Sequence, residues 1–582
     1  MPTNELIESN FLTNCYIYLI IIITFIFFKK KRINMASLDQ HTGVLGQRNA
    51  KHLLRRASFT FHKSLIDQYA LLTPNQALNL LLTTSTPLVS LPYDPIPTTA
   101  PDGFWTESTA LATSFAGQSR KGGIVAGWWW YNAINSHNLK YKLSHFLSTC
   151  FTVEIDASSS ATDFYDYIRL LLHYSYGNYK TLAKKMTLNN NMLYYLNNTA
   201  NTRTAPNENY AREFFELFTI GKGPQIGVGN YTTYTEADVV QAARVLTGFR
   251  RLNTRTVIDP DTSLPKGYNV FSLHHTSSKT FSSAFNNTVI NAATNDAGMD
   301  TELNDFVNMV FNQQATAKNI CRKMYIYFVK GTITPEVESD IIAPLALEFY
   351  NNGYEIAPII RKLLESKHFY DLDDSDSTNE TIGGMIKSPL NQLSEICTFL
   401  KATISNPNTS AYDYYYKFWT LFVYGSFFTG SNMMLFNPEN VAGHPAYYQA
   451  PGFDKNWISA SNLISRYRLG ESLLDGINRI SGNATIISKI NISSVIRDGN
   501  IISAASDPFI LTSELCNALF AQNPDTNRVN YFMSTFLLQG MSNIYWTNAW
   551  SDYVATGVNT VVESRLKLLV TNILRAPESQ MF

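Results

Sequence analysis

Apolar positions recur at three- and four-residue spacing through most of the chain, and turn residues break them into helix-sized runs. Helical period runs from Ala50 to Leu82, with Thr73-Pro74-Asn75-Gln76 as a start signal inside it. It returns in the aromatic stretch Gly127 to Phe151, in Phe164 to Leu196, and from Pro206 to Gly221. Thr235-Glu236-Ala237-Asp238 then opens a helix with a capping-box pattern, and Gly248 closes it. Residues 251–298 carry Pro, Gly, Asn and Thr without helical period, which predicts a long loop or short β-hairpin. Helix resumes at Thr301 and runs through 329 and again from 356 to 369. The expected class is mainly α: a large multi-helix protein, two packed helical halves with a short β-hairpin or loop insertion.

Two polar stretches divide this pattern. Thr83 to Gly103, rich in Pro, Ser and Thr, reads as a surface linker, and acidic Asp371 to Gly384 as the boundary between the halves. The expected division is therefore 1–34 as an N-terminal extension, 43–372 as the first half and 385–582 as the second. Ile477 to Asp507 reads as an insertion.

The extension changes the picture of location. Phe11 to Phe28 is an 18-residue apolar run interrupted by Thr13, Asn14 and Thr24 and followed by Lys29-Lys30-Lys31-Arg32. Taken as translated, it is a marginal single membrane span with its basic flank on the cytoplasmic side. A chain starting at Met35 carries neither span nor signal and is expected in the cytoplasm. A membrane is thus a partner only if 11–28 is present.

Charge narrows the partners further. Forty-six basic and 46 acidic residues cancel, so there is no electrostatic case for nucleic acid. The five cysteines lie far apart without a C-x-x-C pair, which argues against a disulfide framework or structural zinc site; Cys150 and Cys321 fall in helical patterns as buried small hydrophobes. No nucleophile elbow, P-loop or dinucleotide fingerprint occurs.

Candidate chemistry concentrates between Pro206 and Gly221. Asn209, Arg212, Glu213 and Glu216 share one helix face, while Tyr210, Phe214, Leu217 and Phe218 point elsewhere. Glu213 and Glu216, three residues apart, are placed to share a divalent cation or to split their pKa values into an acid and a base. His275 would complete a mixed oxygen and nitrogen donor set. Asn207, Glu208, Asp238, Arg244 and Lys279 complete the polar cluster. The same residues admit a plain structural account. Arg212 stands four after Glu208 and four before Glu216, an ion-pair ladder, and Asn207 and Asp238 are helix caps. His52, Arg55 and Arg56 likewise read as a solvated or salt-bridged face.

The runs Asn207-Glu208-Asn209-Tyr210-Ala211-Arg212-Glu213, Glu216 to Gly221, Tyr234 to Val239 and Ala242 to Phe249 closely resemble the signature of the bacterial domain-of-unknown-function 1800 family, and resemblance extends from Gly43 to Gln580. That family has no established activity. The resemblance implies a sulfatase-like protein as a partner, because members are often encoded beside an exported sulfatase-like family. This chain departs from the pattern in places. Where Trp and His-Asn-His-Phe are common it has Leu147-Ser148-Thr149-Cys150-Phe151, so both histidines are missing, and His145 one turn upstream is a partial replacement. Thr276 stands for Asp, Ser278 for Gly and His444 for Trp. Two function classes follow: a structural or interaction protein acting with a partner, and a metal-dependent, hydrolase-like enzyme using the carboxylate stripe.

Overall fold

Helices in the computed structural model, which describes residues 36–83, 91–96, 103–106, 115–374, 378–477 and 486–582, begin where side chains satisfy their first amides. Ser160 accepts the Asp163 amide ahead of helix Ala161–His173, and Asn178 does the same for Tyr179–Thr187. The capping box expected at Thr235 and Asp238 is present at the start of Glu236–Val245. Ser388 caps Pro389–Phe399, with Pro389 at its first position, where a missing amide costs nothing.

The chain is mainly α, as its periodicity predicts, and its described strands are short antiparallel pairs. Phe249–Arg250 pairs with Tyr268–Asn269 and Lys279–Thr280 with Val289–Ile290, both bearing on the stretch read as loop or hairpin. A further pair, Gln225–Gly227 with Asn230–Tyr231, lies in the glycine loop after the central motif. In the stretch read as an insertion, residues 478–485 are not described, Ile477 bridges to Ser488, and Ile492–Asp498 is a helix.

One buried apolar cluster runs from Ala36 to Ala576 and gathers side chains from both sides of residue 384. Its densest part is aromatic. Trp128, Trp129 and Trp130 of helix Phe115–Ile134 are buried, and Trp130 lies 5.5 Å from Trp419 of the π-helical segment Tyr412–Phe428. Gly127 makes this approach possible, because a Cβ there would stand 2.8 Å from the Trp419 ring. Trp130 donates its indole N–H to Ser394 and Trp419 donates to the Gly123 carbonyl, so the rings are buried with their polar atoms satisfied.

The face carrying His52, Arg55 and Arg56 is not solvated: it lies in the core, and among the described residues only Arg55 of the three forms an ion pair. All three are buried on helix Gly46–Ala57. Arg55 donates to Glu395 Oε1 at 3.1 and 2.8 Å, and Lys387 reaches Glu395 Oε2 at 2.8 Å. Arg55 also donates to the carbonyls of Ala518 and Phe520, at the C-terminus of helix Pro508–Leu519, where the helix dipole favours a cation. Burial pushes the Glu395 carboxyl up, but the charges of Arg55 and Lys387 and their hydrogen bonds outweigh it and hold it below the usual range.

The acidic stretch after Asp371 is strapped down at its ends. Asp371 accepts the amides of Thr381 and Ile382, and Lys330 donates to the carbonyls of Thr378 and Glu380. Cys150, Cys321, Cys397 and Cys516 are free and buried. The apolar run 11–28 lies outside the described residues, among which no helix is long and apolar enough to cross a membrane.

Candidate functional site

Asn207 turns the chain into the central motif by accepting the Asn209 amide at 2.9 Å. The helix Asn209–Glu213 then widens into a π turn, Phe214–Phe218. Its apolar side holds it in place: Phe214 packs 5.0 Å from Phe306, and Phe215 stacks 5.4 Å from Tyr234. A π turn disturbs the usual amide ladder, and here the carbonyls in and just after it find donors elsewhere. The Lys323 ammonium donates to the Leu217 carbonyl, the Tyr179 hydroxyl to Phe218 at 3.0 Å, and Asn319 to Thr219 at 2.8 Å. Gly221, at φ +73°, lets the chain leave against Asn319, whose Cγ would stand 2.7 Å from a Cβ.

The polar stripe is largely consumed by ion pairs. Arg212 reaches Glu208 at 3.2 Å and Glu216 at 4.0 Å, the expected ladder, but its strongest contact is a fork on Glu236, 2.8 Å to each oxygen. Glu216 is also held by Lys222 at 2.7 Å and by the Tyr234 hydroxyl at 2.7 Å. Asp238 accepts from Thr235 and from both the amide and hydroxyl of Ser282. Arg244 reaches Gln241 at 3.5 Å, and Asn209 is exposed.

His275 belongs to a different cluster. Its amide donates to Thr247 Oγ1 at 2.8 Å, its carbonyl accepts from Lys279 at 2.7 Å, and among the described residues no hydrogen bond or ion pair joins it to Glu213 or Glu216. The buried histidine is its neighbour. His274 places Nε2 3.0 Å from Glu302 Oε2 and Nδ1 2.7 Å from the Thr247 carbonyl. Lys279, fully buried, forms an ion pair with Glu302, which also accepts the Ala293 amide. Adjacent residues on extended backbone point to opposite sides, so a His-His pair there sends one ring inward. Nothing in the sequence says which.

Glu213 is the carboxylate the stripe leaves over. It is half-buried and, among the described residues, receives no hydrogen bond. Burial pushes its carboxyl up to about 7, repulsion from Glu216 adds to this, and Lys222, Arg212 and Lys323 pull the other way. Burial in turn pulls the Lys323 ammonium down. A carboxyl that titrates near neutrality has the acid–base capacity a proton-transfer step needs.

A small cleft opens on the helix that carries Ser148 and Cys150. Helix Lys140–Cys150 contributes His145, Ser148 and Thr149, and the chain from 436 to 447 contributes His444 and Tyr447. The void measures about 20 Å³, room for a single water-sized group. His145 sits among the rings of Phe59, Trp129, Tyr327, Phe436 and Tyr447. Burial pushes His145 down to about 3 and His444 down to about 4, so both rings are neutral at physiological pH.

The donor set Glu213, Glu216 and His275 does not fit a divalent metal, since Glu216 is engaged by two cations and a hydroxyl and His275 is tied elsewhere. More generally, among the described residues no group of three or more His, Cys, Asp or Glu side chains is arranged to hold one.

Comparison with known proteins gives one relationship. No curated protein and no solved structure matches the chain. Residues 52–581 match the family described as "Protein of unknown function (DUF1800)", which takes in the central motif, the histidine cleft and the Arg55–Glu395 brace together. Over nearly its whole length, then, this chain belongs to the DUF1800 family.

Proposed function

We propose that the protein is a non-catalytic interaction protein that docks a partner on its C-terminal surface, and that the partner is of the sulfatase-like class the family resemblance implies. The supporting observation is the surface between Gln539 and Val562. Helix Asn543–Thr556 buries Trp546, Trp550 and Tyr553 and leaves Ile544 69% exposed, with Val554 and Val558 at 55% and 68%. Asp552 is the single charged residue in that stretch, and exposed apolar surface depleted of charge is the composition of an interface core. The ion pairing of the central stripe agrees with this reading, because it turns Arg212, Glu216 and Glu236 into a brace.

Co-expression with a sulfatase-like protein from the same source, followed by size-exclusion chromatography, tests the proposal. Wild type is expected to co-elute, and Ile544→Asp/Val558→Asp to elute alone with unchanged melting temperature. Absence of a wild-type complex, or a complex indifferent to the double substitution, would sink it.

A second reading rests on Glu213 alone: a hydrolase-like enzyme with this carboxyl as acid or base. Turnover of any substrate in a hydrolase panel, run with and without divalent metals and abolished by Glu213→Gln, would establish it over the first.

A further inference from the structure

We propose that Lys142 and Asn391 form an intramolecular isopeptide bond, a covalent cross-link between helix Lys140–Cys150 and helix Pro389–Phe399. Lys142 Nζ lies 2.5 Å from Asn391 Oδ1 and 3.0 Å from the Arg55 carbonyl, with the Phe59 ring centroid 4.2 Å away. A C=O bond is about 1.23 Å long, so Asn391 Cγ stands at most about 3.7 Å from the amine, close to the separation of a near-attack pair. Lys142 is buried, and among the described residues it makes no ion pair. The link would close a loop across 249 positions and tie the two sides of residue 384 together.

Burial makes the amine a nucleophile. It pushes the Lys142 ammonium far below the ordinary lysine range and repulsion from Arg56 adds to this, while attraction to Glu395 opposes both. A desolvated, neutral lysine amine is the reactive form. Nζ attacks Asn391 Cγ, forming a C–N bond and moving the carbonyl electron pair onto Oδ1. Nζ then gives up a proton, Nδ2 takes one, and collapse of the intermediate re-forms C=O and expels Nδ2 as ammonia. An amine and a primary amide thus become a secondary amide and ammonia, with nothing oxidised or reduced. Glu395 follows Asn391 by one turn of the same helix and lines the same small void, which places a carboxylate to relay that proton. Arg55 and Lys387 hold it ionised, the form that accepts. Asn391 is only partly buried, which gives ammonia a way out.

The test is mass spectrometry of the full chain, intact under denaturing conditions and after trypsin digestion. Expected are an intact mass lower than the sequence mass by one ammonia, and a branched peptide in which the Lys142 side chain carries the segment containing Asn391. Lys142→Arg and Asn391→Ala should each restore the full sequence mass; if neither folds, the wild-type digest decides alone. Glu395→Gln should cross-link about 100-fold more slowly, and a link formed as fast as in wild type would overturn the carboxylate's part in the step. The inference is overturned if Lys142 and Asn391 are recovered in separate, unmodified peptides, or if the lost ammonia maps to another residue.

Discussion

Replacing Glu395 by Gln tests how the two sides of the molecule are joined. Glu395 lies on helix Pro389–Phe399 and receives Arg55 from the N-terminal side and Lys387 from its own, all three buried. The amide keeps the shape and removes the charge, leaving two cations without it. Breaking a buried pair in this way costs about 3–5 kcal/mol. An unfolding entropy of about 2.1 cal/mol/K per residue gives roughly 1.2 kcal/mol/K for all 582 residues, so a single cooperative transition should fall by about 3 °C. If 385–582 melts as its own unit, its entropy is only about 0.4 kcal/mol/K and its transition should fall by about 10 °C. Scanning calorimetry at pH 7 distinguishes the two. The pH dependence has a fixed sign. The folded-state carboxyl is held below its ordinary value, so its contribution is present at neutral pH and is lost as pH falls through and below the usual carboxylate range. The variant should lack that portion of the acid limb. A variant melting within about 1 °C of wild type would refute the brace, since even the single-transition estimate exceeds it.

Glu213 carries the opposite sign. Its carboxyl is raised, so the folded state binds the proton more tightly and stability should fall between about pH 4.5 and 7; Glu213→Gln should remove the slope, and after discounting for solvent screening should stabilise at pH 8 by on the order of 1 kcal/mol in urea titrations. Arg212→Met removes a partly exposed fork, and denaturant midpoints should report a loss of about 1 kcal/mol or less. Glu302→Gln strands buried Lys279, and the same assay should report about 3–5 kcal/mol.

The sequence made the helical class readable because caps and apolar spacing are local, as at Thr235 and the Glu208–Arg212–Glu216 ladder. What it left out is set by distant partners. Arg55 and Arg56 have the spacing of a solvated face, and it takes Glu395, some 340 positions away, with the carbonyls of Ala518 and Phe520, to offset the burial of Arg55. The fork on Glu236 takes over Arg212, which the ladder alone would share between Glu208 and Glu216. His275 matched a pattern while His274 took the inward position, a choice fixed by the approach of Glu302 and Thr247. The cleft lined by both His145 and His444 brings together residues some 300 apart whose spacing carries no signal.

The π turn at Phe214–Phe218 bears on the order in which the molecule assembles. The carbonyls of Leu217 within it and Thr219 just after it are satisfied by Lys323 and Asn319, 106 and 100 residues further along. An isolated peptide of this segment has no such donors and would favour the ordinary α ladder or none. The signature stretch therefore acquires its native geometry only after helix Gln314–Phe328 has docked, which makes it a high-contact-order keystone set late in folding, and substitutions at Lys323 should accelerate unfolding while leaving the folding rate nearly unchanged.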